Sequence, residues 1–285
     1  MKARAGWHPW AMLAPTLSLL VVFFLLPIGV AAYESFFSWD MLTPPRFVGG
    51  ANYVALASRG ELLRVALRTL GYSVLVVVGT TTLGLALALL LDRRGRFFAF
   101  VRASVFSAYV VSWVAVALLW MWLLDGRSGL VGRLLRSVGA GSTALLGDMR
   151  WALPTLAIVG VWKLTGYAMV IFLAGLQDIP PSVLEAAALD GAGPWTRLRH
   201  VTMPLLAPTA AFVATTSLVT SFQAFDIVRI MTQGGPAGTT ELFVYAIYEQ
   251  IFLNLSVGRA SALTVVFFVL LLAVAAAQLR VWRSR

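Results

Sequence analysis

Gln177-Asp178-Ile179-Pro180-Pro181-Ser182-Val183-Leu184-Glu185-Ala186-Ala187-Ala188-Leu189-Asp190-Gly191-Ala192-Gly193-Pro194-Trp195-Thr196-Arg197-Leu198-Arg199-His200-Val201-Thr202-Met203-Pro204 is the stretch that decides the fold. Ser182 with Glu185 three residues on has the form of a capping box, which places a helix start at Val183. Ala186, Ala187, Ala188 and Leu189 propagate that helix. Gly191 follows the last periodic residue and suits the left-handed position past a helix end. Pro194 is placed for the first turn of a second helix, and Met203-Pro204 opens the next apolar run. The expectation is two short helices joined at a sharp bend. Leu184, Ala188, Trp195 and Leu198 give the pair an apolar surface; Glu185, Asp190, Arg197 and Arg199 give it charge.

On both sides of this segment the chain turns apolar. Of its 285 residues 60% are hydrophobic and 12% charged, against roughly 25% charged in soluble domains. One water-facing globule cannot hide that much apolar surface, and a disordered chain is excluded for the same reason. A helix crossing a bilayer needs about 20 mostly apolar residues. Six runs qualify, at approximately 10–33, 69–91, 103–124, 151–176, 205–229 and 260–279, the fourth interrupted only by Lys163. The first run is too long for a cleaved signal peptide and has no small-residue cleavage site close behind it. The fold class is therefore all-α: a polytopic membrane protein with six transmembrane helices in a single domain over 1–285, and 177–204 as its longest loop on one face.

Six spans put both termini on one side. Basic residues are about twice as dense on that side as on the other, which favours cytoplasmic termini. Arg93, Arg94 and Arg96 in a tight turn, and Arg280, Arg283 and Arg285 in the tail, contribute most clearly. The net charge of +10 edges the spans rather than forming one patch, which argues for anionic lipid as a partner and against nucleic acid. On the opposite side, Phe36, Phe37 and Trp39 read as an interfacial aromatic belt, and Glu241 to Phe252 as an amphipathic helix. Gly84 and Ala88, one turn apart, suggest a close helix contact.

Glu185-Ala186-Ala187, Gly191 and Val201-x-Met203-Pro204 resemble the EAA loop of permease subunits of binding-protein-dependent ABC importers, with Met203 where Leu is usual. Phe47-Val48-Gly49-Gly50-Ala51-Asn52-Tyr53 is similar to the first-loop motif of the carbohydrate-uptake type. Phe225-Asp226-Ile227-Val228 with Met231-Thr232-Gln233-Gly234-Gly235-Pro236 is similar to that type's fifth-span ending, in the manner of the first of its two permeases. Arg68-Thr69 stands where the family often has Asn-Thr, so no role is carried onto Arg68. The resemblance runs from about residue 10 to the end.

It implies the ABC importer permease fold in a bacterial or archaeal cytoplasmic membrane. The implied partners are a second permease subunit, two ATPase subunits and an extracytoplasmic solute-binding protein. ATP and Mg would act on the ATPase subunits, with no cofactor, metal or catalysis on this chain. Glu185, Ala186, Ala187, Asp190, Gly191, Trp195, Arg197 and Arg199 would form the ATPase-coupling surface, Gly191 permitting the bend. Glu185 has a second reading, as capping partner of Ser182.

Lys163, Tyr167, Gln223 and Asp226 are candidates for the solute pathway, because ionisable residues in spans usually face an interior or cavity; Trp162 is a further stacking candidate. Lys163 and Asp226 have a second reading, at a water-filled end or paired with each other. A stand-alone secondary carrier or channel is the competing function. It would want intramembrane carboxylates, for which only Asp226 offers, and it leaves the EAA loop unexplained. His8 and His200 lack companion ligands for a metal. Gly126-Arg127-Ser128-Gly129 resembles an intramembrane serine-protease motif but has no later histidine as base. Gly79 to Gly84 has phosphate-loop spacing, yet Leu85 stands where Lys is needed. Zero Cys removes thiolate chemistry.

Overall fold

A computed structural model describes residues 8–126, 128–137, 139 and 144–283. Lys2 and Arg285, which entered the charge comparison, and Arg127 of the protease-like motif lie outside these residues. In chain order the elements are α1 (His8–Leu20), α2 (Leu26–Glu34), β1 (Phe37–Ser38), β2 (Arg46–Phe47), α3 (Ala51–Ser58), α4 (Glu61–Leu91), α5 (Arg96–Val110), α6 (Trp113–Leu124), α7 (Leu130–Ser137), α8 (Ala152–Gln177), α9 (Pro181–Leu189), α10 (Pro194–Arg197), α11 (Met203–Leu205), α12 (Ala207–Phe222), α13 (Asp226–Met231), α14 (Phe243–Tyr248) and α15 (Val257–Arg283). π-helical turns at Val21–Leu25, Leu198–Thr202 and Glu249–Leu253 join α1 to α2, α10 to α11, and extend α14.

Among the described residues four helices are long and apolar enough to cross a membrane: Met12–Glu34, Glu61–Leu91, Ala152–Gln177 and Val257–Gln278. Two bent pairs raise the number to six if each is one span. Arg96–Val110 with Trp113–Leu124 bends by 102°, and Pro194–Leu205 with Ala207–Phe222 by 63°. The expected third and fifth spans are thus broken rather than straight. Proline explains the second bend: Pro204 and Pro208 flank Leu206, and each removes a backbone donor and crowds the carbonyl four residues back. The π turns before Pro27 and Pro204 relieve the same clash, since one extra residue per turn moves that carbonyl aside. The 102° break has neither proline nor glycine, and carbonyls freed at it meet the Lys163 side chain of α8.

The chain divides into two compact units. The first holds residues up to Arg64 and from Ala246 onward. Here α2 and α15 pack together, and β1 pairs with β2 in a two-stranded hairpin. The buried Asn52 amide donates to the Ser35 and Phe37 carbonyls at 2.8 and 2.9 Å, and Tyr53 Oη donates to Ser35 Oγ at 2.7 Å. These bonds account for the Asn-Tyr of the first-loop motif: they close the polar end of α2, where backbone groups leave the helix ladder. Phe37 lies edge-on against Phe47 and Phe36 packs on Tyr53, so the expected interfacial aromatics also knit the hairpin. Gly258 opens α15 against this knot; a Cβ there would overlap the Phe37 carbonyl oxygen.

The second unit is Val65–Tyr245. In lipid, burying an apolar side chain gains little from water, so close approach of backbones decides packing. Along α4 and α8 glycines provide it. A Cβ on Gly84 would sit 2.5 Å from Ala168 Cβ, and one on Gly160 would sit 2.9 Å from the Tyr72 hydroxyl. Ala88, Ala168, Met169, Phe172 and Val213 are fully buried around that seam, as the Gly84/Ala88 spacing predicts. The turn after α4 is closed by Arg102, whose Nη1 donates to the Leu91 and Arg93 carbonyls at 2.8 and 3.1 Å. A cation at a helix C-terminus is also favoured by the macrodipole.

Candidate functional site: a coupling pair and a polar cavity

The opening stretch folds into two short helices with the expected bend, but its start differs from the expectation. The first helix begins at Pro181, not Val183, and Ser182 makes no capping bond. Pro181 takes the first helical position, so the Ser182 side chain falls inside the first turn instead of before it. Glu185 is exposed and makes no hydrogen bond or ion pair among the described residues. Its capping role is thereby removed.

The end of α9 follows the sequence closely. Gly191 sits at φ +82°. Its N–H donates to Ala188 O at 3.1 Å, and Ala192 N–H reaches Ala187 O at 3.0 Å. This is the paired closure of a Schellman motif, which ties the bend without side chains. Leu189 is 90% and Trp195 71% exposed. Two large exposed apolar side chains beside exposed Ala186, Asp190 and Arg199, with Ala187 and Arg197 half-buried, suit a groove on another chain.

The second place is a cavity of about 330 Å³ lined by Tyr109, Leu164, Tyr167, Thr216 and Thr220, among others. Tyr109 and Tyr167 stack with ring centroids 4.9 Å apart and planes at 25°. A neighbouring cavity of about 230 Å³ is lined by Trp113, Thr220, Gln223, Phe225 and Asp226, so Thr220 borders both. Thr216 and Thr220 fall on one face of α12, four residues apart, and Gln223 caps its C-terminal end. Each threonine hydroxyl donates back to its own helix: Thr216 to Phe212 O at 3.0 Å, Thr220 to Thr216 O at 2.9 Å. Their lone pairs are left to accept from a visitor. Aromatic faces opposite a row of hydroxyl acceptors match the chemistry of a polyhydroxylated solute, which presents C–H faces and O–H donors.

Of the predicted pathway residues, Tyr167 lines the first cavity and Gln223 and Asp226 the second. Lys163 lines neither. It is 2% exposed and makes no ion pair with Asp226. Its ammonium donates to Ala108 O at 3.2 Å, Tyr109 O at 3.1 Å and Val111 O. Trp162 faces elsewhere, into a cavity of about 970 Å³ lined mostly by apolar side chains, where it meets Trp120 edge-on at 5.6 Å. Tyr109, Trp113, Thr216 and Thr220 were not anticipated. The threonines carried a signal, a polar stripe at helical spacing inside an apolar run; Tyr109 carried none. Gly79 to Gly84 is helical throughout, which leaves no phosphate-binding loop there, and the Ser128 hydroxyl is held by Asp125 Oδ1 at 2.8 Å in an exposed turn.

Residues 80–283 match the family described as binding-protein-dependent transport system inner membrane component. The chain is 35% identical over 279 residues to the sn-glycerol-3-phosphate transport system permease protein UgpA of Brucella abortus, covering 97% of this chain and 95% of that one. To the protein of the same name in Escherichia coli O157:H7 it is 32% identical over 284 residues, covering 99% and 96%. Among solved structures it resembles a bacterial ABC transporter that imports the acidic polysaccharide alginate, with TM-score 0.79, 23% identity and 96% of each chain covered. A second structure of the alginate transporter, in complex with alginate pentasaccharide-bound periplasmic protein, gives TM-score 0.81 at 22% identity, covering 95% of this chain and 92% of that one. The family match over residues 80–283 and relatives at 32–35% identity along nearly the whole chain make it a member of the binding-protein-dependent transport permease family.

Proposed function

We propose that the chain is a permease subunit of an ATP-driven importer for a sugar or sugar-like solute, glycerol phosphates included. It forms half of the translocation pathway beside a second permease. It sits in a bacterial cytoplasmic membrane with both termini and the 177–204 loop inside. Two ATPase subunits, where ATP and Mg act, dock on Glu185, Ala186, Ala187, Asp190, Gly191, Trp195, Arg197 and Arg199. A solute-binding protein delivers from outside. Within the pathway, Tyr109 and Tyr167 stack on the solute, Thr216 and Thr220 accept hydrogen bonds from its hydroxyls, and Gln223 and Asp226 line the continuation.

The observation that carries this reading is the pair of exposed apolar residues, Leu189 and Trp195, fixed on either side of a backbone-closed bend. Reconstitution of the assembled transporter with its binding protein tests it. Radiolabelled sn-glycerol 3-phosphate and a disaccharide are offered to proteoliposomes with and without internal ATP. ATP-dependent accumulation of one of them, lost in Leu189→Ser/Trp195→Ser, is expected. Accumulation that proceeds equally without ATP overturns it.

A further inference from the structure

The break between α5 and α6 leaves carbonyls unpaired deep in an apolar region, where each missing partner is costly. Neither proline nor glycine stands there. Three of those carbonyls, of Ala108, Tyr109 and Val111, converge on the Lys163 ammonium. A protonated lysine has three N–H donors, and all three are engaged. The same Nζ lies 5.0 Å from the Trp113 ring and 5.9 Å from the Tyr109 ring. Lys163 and Tyr167 are four residues apart on α8 and share a face. One side of α8 therefore grips Tyr109 twice: Lys163 by its carbonyl, Tyr167 by its ring. Tyr109 and Tyr167 border the first cavity and Trp113 the second, while Lys163 stands behind both.

We propose that Lys163 is a positioning residue, which holds the α5–α6 break open and sets Tyr109 and Trp113 as the aromatic wall of the cavity without touching the solute. This deepens the reading of the cavity as the solute path and rests on it. A lysine acting as a counter-ion for a charged solute would need a donor pointing into the cavity; here every donor is turned to the backbone.

The chain has no cysteine, so a single engineered pair reports the wall directly. Tyr109→Cys/Tyr167→Cys is introduced into the complete transporter, carrying Lys163, Lys163→Met or Lys163→Arg, and the yield with a short bifunctional maleimide is measured. Uptake KM and maximal rate are measured for Lys163→Met and Lys163→Arg in the chain that keeps both tyrosines. The expected result is a cross-link yield at least fivefold lower in Lys163→Met and recovered in Lys163→Arg, which keeps the donors. KM for uptake rises about tenfold in Lys163→Met while ATP hydrolysis persists. Unchanged cross-linking and KM in Lys163→Met overturn the proposal. So does a drop that Lys163→Arg fails to recover. If Lys163→Met does not assemble, Lys163→Gln, with two donors, reads the same quantity: an intermediate yield supports the proposal and a wild-type yield overturns it. The cross-link needs no solute, so its failure is told apart from a failure of the transport reading.

Discussion

Replacing Gly191 isolates the bend of the coupling pair from everything around it. Gly191 stands at φ +82°, and nothing lies within 4 Å of where a Cβ would be. Alanine there meets no clash, so its whole cost is the left-handed backbone, about 1–2 kcal/mol for an L-residue. Asparagine visits that region more readily and should cost less. Proline cannot adopt it at all, and it deletes the N–H that reaches Ala188 O; the loss is about 3 kcal/mol or more. One to two kcal/mol corresponds to about a 5- to 30-fold change in an equilibrium. If ATPase subunits dock on the bent form, the affinity falls in the order Gly, Asn, Ala, Pro, with Ala about 5- to 30-fold below Gly. Gly193 supplies the control: it is also uncrowded, but at φ −64° it precedes Pro194 as the cap of the second helix. Gly193→Ser should bind as well as wild type or better. The assay is binding of the ATPase subunits to the permease pair in nanodiscs, read beside the ratio of solute moved to ATP hydrolysed. Equal affinities for Gly191→Ala and wild type, together with a loss in Gly193→Ser, would show that the left-handed bend does not set docking.

Other perturbations test the scaffold. Gly258→Ala drives a methyl into the Phe37 carbonyl and should destabilise by about 1–3 kcal/mol. Gly71→Ala, helical and uncrowded, should be neutral or stabilising by about 0.4–1 kcal/mol; thermal melts of the two variants decide. Burial, with the nearby Glu61 carboxylate, holds the Glu249 carboxyl above its ordinary 4.5. A raised acid contributes stability in full below pH 4.5 and loses it as pH climbs through the raised value. Glu249→Gln should flatten that fall, and parallel melting profiles across pH would count against it. Arg68 Nη1 and Glu241 Oε2 stand 3.4 Å apart with both side chains about one-fifth exposed. A double-mutant cycle should return a coupling of about 1 kcal/mol or less, and a coupling of zero would make the contact incidental.

The coupling pair was legible because its signals are local. Gly191, Pro194 and the Ala-rich turn each act within four residues, and the Schellman closure needs nothing more distant. The capping box failed by the same logic read one step short: the Pro180-Pro181 pair claimed the helix start before Ser182 could cap it. The fifth span carried a local signal for its bend in Pro204 and Pro208, but its apolar run alone predicts a straight helix. The break after Val110 announced nothing. Its carbonyls are satisfied by Lys163, more than fifty residues later on another helix, and no periodicity reads a partner at that separation. Lys163 itself was conspicuous, but a lone charge in an apolar run looks the same whether it faces a solute or a backbone. Arg68, left without a role by its departure from the family pattern, turned out to face Glu241, while the adjacent Thr69 Oγ1 accepts the Phe243 N–H at 3.1 Å. Together they fasten the loop after α13 to α4.

The 63° elbow at Leu206 has a mechanical consequence. From Pro194 to Leu205 the chain is one arm of about 18 Å, and from Ala207 to Thr220 another of about 21 Å, at 1.5 Å per residue. The short arm ends at the bend beside exposed Trp195; the long arm carries Thr216 and Thr220. Leu206 keeps its bonds to Thr202 O and from Ala210 N–H, but Pro204 and Pro208 donate none, so the elbow has fewer ladder bonds than the arms and bending concentrates there. A swing of about 10° would carry the tip of the short arm roughly 3 Å, on the rise per residue just used. If the elbow stiffens when the coupling surface is gripped, the long arm inherits that displacement nearly one to one. The hydroxyl row and exposed Trp195 then lie at the two ends of a single crank.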